Sequence, residues 1–187
     1  MRRSIVIAGL LLFGLLTGAQ EKKRPGITPD HLKLQYAGSI GFISLGAGYE
    51  WAKQKIHGDI YYGYVPAGVG GVDIHSVTAK FTWLPFSIEL ENDVKINPVT
   101  TGFLVNYAFG KRYHLFSRTK YSFVYYGFPT AAHLAVFLGG NISKNKLGLY
   151  YEFGITDRDL ASFATNTTAI GFMEIVNLGI GARYRLR

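Results

Sequence analysis

Asp73-Ile74-His75-Ser76 gathers the residue types of an acyl-transfer triad within four positions. A serine nucleophile needs a histidine within hydrogen-bond reach to take its proton, and an acid to orient that histidine. The spacing works against this chemistry, because on a strand Asp73 and His75 share one face while Ser76 points to the other. His133 is the second weak catalytic candidate, and an isolated imidazole supplies no triad. No histidine and carboxylate cluster has metal-ligand spacing, and Gly68-Val69-Gly70-Gly71 lacks the Lys-Ser/Thr ending of a phosphate loop. The sequence therefore assigns no catalytic residue, metal site or cofactor.

The element that must position the Asp73 motif is more informative than the motif. From Ser76 to Trp83 the chain alternates strictly, with Val77, Ala79, Phe81 and Trp83 on one parity and Ser76, Thr78, Lys80 and Thr82 on the other. A period of two places these sets on opposite faces of a strand. The pattern returns from Leu147 to Thr156 and from Val176 to Leu186, where Leu178, Ile180 and Tyr184 oppose Gly179, Gly181, Arg183 and Arg185. Similar alternation at Ile43–Trp51, His57–Tyr64, Thr101–Phe109 and Leu134–Ile142 brings the count to seven strands.

Met1 to Ala19 has the form of a secretory leader. Arg2 and Arg3 precede the apolar Ile5–Leu16, and Thr17-Gly18-Ala19 supplies small residues for cleavage before Gln20. The apolar stretch is shorter than the ~20 residues of a spanning helix, and Glu21-Lys22-Lys23-Arg24 follows at once. Residues 20–31 read as an extended lead-in and residues 32–187 as one domain. The chain has no cysteine, which excludes both an acylated terminal cysteine and a disulfide scaffold. It carries 20 Lys and Arg against 12 Asp and Glu, and stays basic without the leader. An exported chain whose basic residues are scattered or grouped at turns fits anionic headgroups better than nucleic acid.

Closed single-chain membrane barrels of bacteria have an even number of strands, so seven implies one more. Short turns in such barrels lie on the periplasmic side and longer loops outside. Lys53-Gln54-Lys55 and Lys144-Asn145-Lys146 share a side only if an ascending strand precedes Ile43, which places it at about Leu32–Ser39. An extra strand at Lys120–Phe128 is the alternative, and ten strands remain compatible with the pattern. Val65–Val72, the acidic Ser87–Pro98, Gly110–Thr130 and Arg158–Glu174 read as connections, the last with a short helical turn.

The polar parity carries Glu50, Asp59, Lys80, Glu152, Arg183 and Arg185 beside many glycines, while the opposite parity is apolar. An eight-stranded barrel is just wide enough for side chains to fill its interior. These six charges are expected to pair inside and plug the lumen, with the apolar parity towards lipid. Trp51, Trp83, Tyr49, Tyr62, Tyr64, Tyr107, Phe109 and Tyr184 fall near strand ends on the apolar parity, as interfacial girdles do.

In this architecture the chain resembles small bacterial outer-membrane β-barrels of the OmpA/OmpX type. Leu34-Gln35-Tyr36-Ala37-Gly38-Ser39-Ile40-Gly41-Phe42 and Tyr62-Gly63-Tyr64-Val65-Pro66 also resemble an uncharacterised family of such barrels. The resemblance implies an all-β antiparallel transmembrane barrel in the outer membrane, inserted by the barrel-insertion machinery and monomeric. Lys111, Arg112, Arg118 and Lys120, interleaved with aromatics in an external loop, are then candidates to bind lipopolysaccharide phosphates. A structural or surface-interaction role leads. A lipid A or phospholipid-modifying enzyme using His75 or His133 is the alternative, and a narrow channel is the third reading.

Overall fold

The computed structural model describes residues 28–109, 131–165 and 171–187. Its strands are β1 (His31–Ala37), β2 (Ile43–Trp51), β3 (Ile56–Val65), β4 (Ile74–Trp83), β5 (Ile88–Glu89), β6 (Val94–Phe109), β7 (Ala132–Lys144), β8 (Leu147–Thr156) and β9 (Asn177–Arg185). The sheet runs β4-β3-β2-β1-β9-β8-β7-β6, and β6 returns to pair with β4. Every pairing in this ring is antiparallel, so eight long strands close a barrel. β5 adds only Ile88 and Glu89 alongside the start of β6. The N-terminal strand expected before Ile43 is present as β1. It pairs with β2 on one side and β9 on the other, and begins one residue earlier, at His31.

The connections divide unequally between the two ends. Residues 52–55, 84–93 and 145–146 lie at the end where the barrel begins at His31 and finishes at Arg185. Both Lys-flanked turns are therefore at this turn end. Asn145 there adopts φ 53°, a left-handed conformation that asparagine tolerates. At the loop end stand the connection 66–73, with the short helix α1 (Ala67–Gly70), and the β8–β9 connection. The latter holds α2 (Asp157–Thr165) and a 3-10 turn (Phe172–Ile175), more helix than the single turn expected.

One strand reaches further than its sequence suggests. The acidic stretch Ser87–Pro98 reads as irregular, yet β6 begins at Val94 and runs through Pro98. Proline has no N–H for a ladder, and the ladder steps around it. Asn97 pairs with Asn141 and Thr100 with Gly139, so β6 advances three residues while β7 advances two. This bulge also reverses the parity of β6, which hides the strand from a simple alternation count.

The two faces separate cleanly by chemistry. Leu34, Leu45, Ile60, Val105, Val136, Leu149 and Ile180 point outward and are exposed, Leu149 by 64%. His31, Lys33, Gln35, His57, Asp59, Thr78, Lys80, Glu152 and Arg183 point inward and are buried. This reverses the ordinary arrangement of a water-soluble barrel. Outward aromatics gather near both ends: Tyr49, Trp51, Trp83 and Tyr184 towards the turns, and Tyr62, Tyr64, Tyr107 and Phe109 towards the loops.

Candidate functional site

Among the described residues the buried ionisable groups gather in the lumen. At the turn end Glu50 accepts from His31 Nδ1 at 3.1 Å and from Arg183 Nη1 at 3.3 Å. Arg185 Nε stands 3.8 Å from Glu50 Oε2, in ion-pair range but beyond hydrogen bonding. The other ring nitrogen of His31 lies 2.6 Å from Asp59 Oδ1, and Lys33 Nζ donates to Asp59 Oδ2 at 2.7 Å. His57 sits beside them with its ring 5.2 Å from that of His31.

A second group crosses the barrel half-way up. Lys80 on β4 pairs with Glu152 on β8. Gln35 on β1 ties the two together, donating to Glu152 at 2.7 Å and accepting from Lys80 at 3.4 Å. The Tyr150 hydroxyl donates to the same Gln35 oxygen at 3.1 Å. The ammonium of Lys80 also faces the rings of Phe137 at 4.5 Å and of Tyr61 and Tyr150 at 5.6 Å. Each charge removed from water thus meets an opposite charge, a hydrogen-bonding side chain or an aromatic face.

Room for these long side chains comes from glycines on facing strands. The Tyr150 ring lies against Gly181, which pairs with it across β8 and β9. A methyl at Gly181 would stand 2.7 Å from the backbone oxygen of Leu34 and collide with the Tyr150 ring. Gly181→Ala is expected to cost ~1–3 kcal/mol through overpacking. Urea unfolding of the detergent-folded barrel measures this, and an unchanged midpoint would contradict the packing.

Above the charges the lumen is filled largely by apolar and aromatic side chains. Tyr61, Leu104, Ala135, Phe137 and Ile40 form one buried cluster. Ile40 belongs to the β1–β2 turn, which folds into the mouth of the barrel. Gly38 makes the turn possible at φ 82°, a region that favours glycine. The Ile40 carbonyl accepts from Ser76 at 3.0 Å and Ser44 at 3.4 Å, and Asn106 donates to the Ser39 carbonyl at 3.1 Å. Between the two charged groups, a lumenal cavity of about 30 Å³ lies among Lys33, Lys80, Asn141, Tyr150 and Arg183.

The weak catalytic candidates are placed elsewhere. His75 lies on the outer surface near the loop end, with its Nδ1 2.6 Å from the Tyr62 hydroxyl and its ring stacked on Tyr64 at 5.1 Å. Ser76 is inside, donating to Ile40, so the barrel wall separates the two. Asp73 accepts from Tyr64 at 2.7 Å and from the Ala67 N–H at 2.9 Å. The Tyr64 hydroxyl and then that N–H hold its carboxyl below the usual carboxylate range. His133 has Asp157 at 3.7 Å. Among the described residues no group of three or more His, Cys, Asp or Glu is arranged to hold a metal ion.

Comparison with family models, curated proteins and solved structures returned no match. The six charges singled out by parity, Glu50, Asp59, Lys80, Glu152, Arg183 and Arg185, all reach the lumen, where Glu50 joins both arginines and Lys80 joins Glu152. Asp59 instead pairs with Lys33 and His31, which the charge count passes over although both share the inward parity of β1. His57, Tyr61 and Tyr150 are likewise inward and were readable from the same alternation. Lys111, Arg112, Arg118 and Lys120 lie outside the described residues, as does Met1–Ala19, the stretch expected to be a leader.

Proposed function

We propose that this chain is an exported bacterial outer-membrane β-barrel with a structural or surface-interaction role. The observation that carries the reading is the outward apolar face, bounded by aromatics at both ends, on a closed barrel whose charges pair inside. Only lipid makes that outward face favourable over so much of the surface. Met1–Ala19 acts as the export leader, the turn end faces the periplasm, and the loops face outward. There Lys111, Arg112, Arg118 and Lys120 contact lipopolysaccharide phosphates. Insertion uses the cell's barrel-insertion machinery, and the barrel works as a monomer.

The lumen packing weighs against the channel reading, because Phe137, Tyr61, Leu104 and Ile40 occupy the bore above the ion pairs. The purified protein is therefore expected to give no steady conductance in a planar bilayer. High conductance of the unmodified protein would overturn the plugged reading. The enzymatic alternative predicts a His75- or His133-dependent mass change in lipid A on incubation.

Sidedness tests the membrane reading as a whole. In intact cells a membrane-impermeant thiol reagent is expected to label Phe116→Cys but neither Gln54→Cys nor Asn145→Cys. Labelling of the two turn positions with Phe116→Cys protected would reject the topology, and recovery of the protein in a soluble fraction would reject the location.

A further inference from the structure

Two buried polar atoms border one small space inside the bore. The cavity of about 30 Å³ between the charged groups is lined by Thr82 of β4 and by Asn141 of β7. The Thr82 hydroxyl and the Asn141 Oδ1 are both buried, and neither has a hydrogen-bond partner among the described residues. Leaving such atoms unbonded costs their full desolvation, so an occupant that bonds both is favoured.

The two atoms need different partners. A hydroxyl offers one hydrogen and also accepts, whereas an amide oxygen only accepts, so the occupant must bring a hydrogen of its own to Asn141. Lys33, Lys80 and Arg183 line the same space against one carboxylate, Glu152, which is already paired with Lys80. These cations disfavour a positively charged occupant. A halide suits the cations and the Thr82 hydroxyl, but it has no hydrogen to give to Asn141. Size excludes larger donors, since one water needs ~10–15 Å³ of such space and about two fit.

We propose that this cavity is a binding site for one or two water molecules, which donate to Asn141 Oδ1 and bond the Thr82 hydroxyl. The bridge ties β4 to β7 across β6, although these two strands do not pair with each other. Water there also meets Lys33 and Arg183 of the turn-end group and the Lys80–Glu152 pair, and so joins the two charged groups into one network. The layer of Phe137, Tyr61 and Leu104 lies on the loop side, so the site is wet without a path through the bore. It belongs to the lumen and does not depend on what surrounds the barrel.

The test uses the full chain folded in detergent. Thr82→Val keeps the shape of the side chain but takes one partner from the water, and the folding constant from urea unfolding is expected to fall about three- to tenfold. Thr78→Val is the comparison. Thr78 shares the strand and inward face of Thr82, and its hydroxyl is likewise buried without a partner among the described residues, but it does not line the cavity. Removing a hydroxyl that bonds nothing is expected to leave the folding constant unchanged or to raise it. Equal responses of the two variants would overturn the site.

Oxygen-17 magnetic relaxation dispersion counts slowly exchanging waters directly. The parent is expected to hold about one or two more than Thr82→Val/Asn141→Leu, and equal counts would overturn the proposal. Should the double variant fail to fold, Thr82→Val is compared with Thr78→Val, and a lower count in Thr82→Val is expected. Replacing chloride by gluconate is expected to alter neither the counts nor the Thr82→Val loss. A loss that vanishes without chloride would assign the cavity to a halide and overturn the water site.

Discussion

Replacing Lys80 by Met is expected to destabilise the barrel by ~3–5 kcal/mol, the cost of leaving one member of a buried ion pair without its counter-charge. The pair is 2% and 6% exposed, so water does little to rescue the carboxylate of Glu152. Gln35 would still donate to Glu152, but a neutral amide does not replace an ammonium. The double variant Lys80→Met/Glu152→Leu is expected to recover most of the loss, because apolar replacement of a whole buried pair is often nearly neutral. Recovery is incomplete to the extent that Gln35 loses Glu152 as acceptor and Lys80 as donor, keeping only the Tyr150 hydroxyl and the Ala37 carbonyl. Urea unfolding of the four proteins in detergent gives the coupling energy by a double-mutant cycle. A Lys80→Met barrel within ~0.5 kcal/mol of the parent, the ordinary range for surface substitutions, would show that the lumenal pair is hydrated and the plug loose.

The second large effect belongs to the outer face. Val105→Arg, on β6 opposite Ala79 in the middle of β4, is expected to cost ~2–4 kcal/mol in a lipid bilayer, whereas Leu147→Arg at the turn end is expected to cost ~0–1 kcal/mol. The difference comes from depth, since an arginine near the boundary reaches the headgroups and one at the midplane cannot. Both positions are outward, Val105 at 46% and Leu147 at 63% exposed, so lumenal packing is untouched by either. Unfolding in vesicles and heat-modifiable gel migration measure the two variants. Equal, small effects at both positions would mean that this face does not meet hydrocarbon.

The strands were legible because a barrel with one apolar face obeys a period of two, and the need for an even count recovered β1 from Leu32, Leu34 and Tyr36 alone. Two features defeated the same rule. At Pro98 a bulge adds one residue and reverses parity, so a continuous strand looks like a loop followed by a strand. At the β1–β2 turn, Ile40 leaves the alternation and tucks into the bore, which depends on the turn conformation set at Gly38 and Gly41. The charged part of the lumen was partly legible. Glu50, Asp59, Lys80, Glu152, Arg183 and Arg185 follow from parity, but their partners depend on which strands lie opposite across the barrel. Parity says that Lys80 and Glu152 are inward; closure of the sheet between β4 and β6 brings them together. Parity also turns Tyr61, Leu104 and Phe137 inward, but that they meet in one apolar layer depends, like the ion pairs, on which strands face each other across the bore.

The tempting Asp73-Ile74-His75-Ser76 motif shows the same rule acting on function. The strand that makes β4 recognisable also puts His75 among the outer aromatics and Ser76 beneath the Ile40 carbonyl. Charge pairing and aromatic packing inside, with apolar residues outside, account for each of these placements without a reaction.

The central claim is that the outward face of the strands lies in hydrocarbon. Nitroxide labels at Leu149→Cys, Tyr151→Cys and Phe153→Cys, successive outward positions of β8, measure it directly in vesicles, because the chain has no native cysteine to compete. Collision with oxygen is predicted to exceed collision with a water-soluble nickel chelate at all three positions, most strongly at the central Tyr151. Chelate collisions exceeding oxygen collisions at these sites would contradict the account.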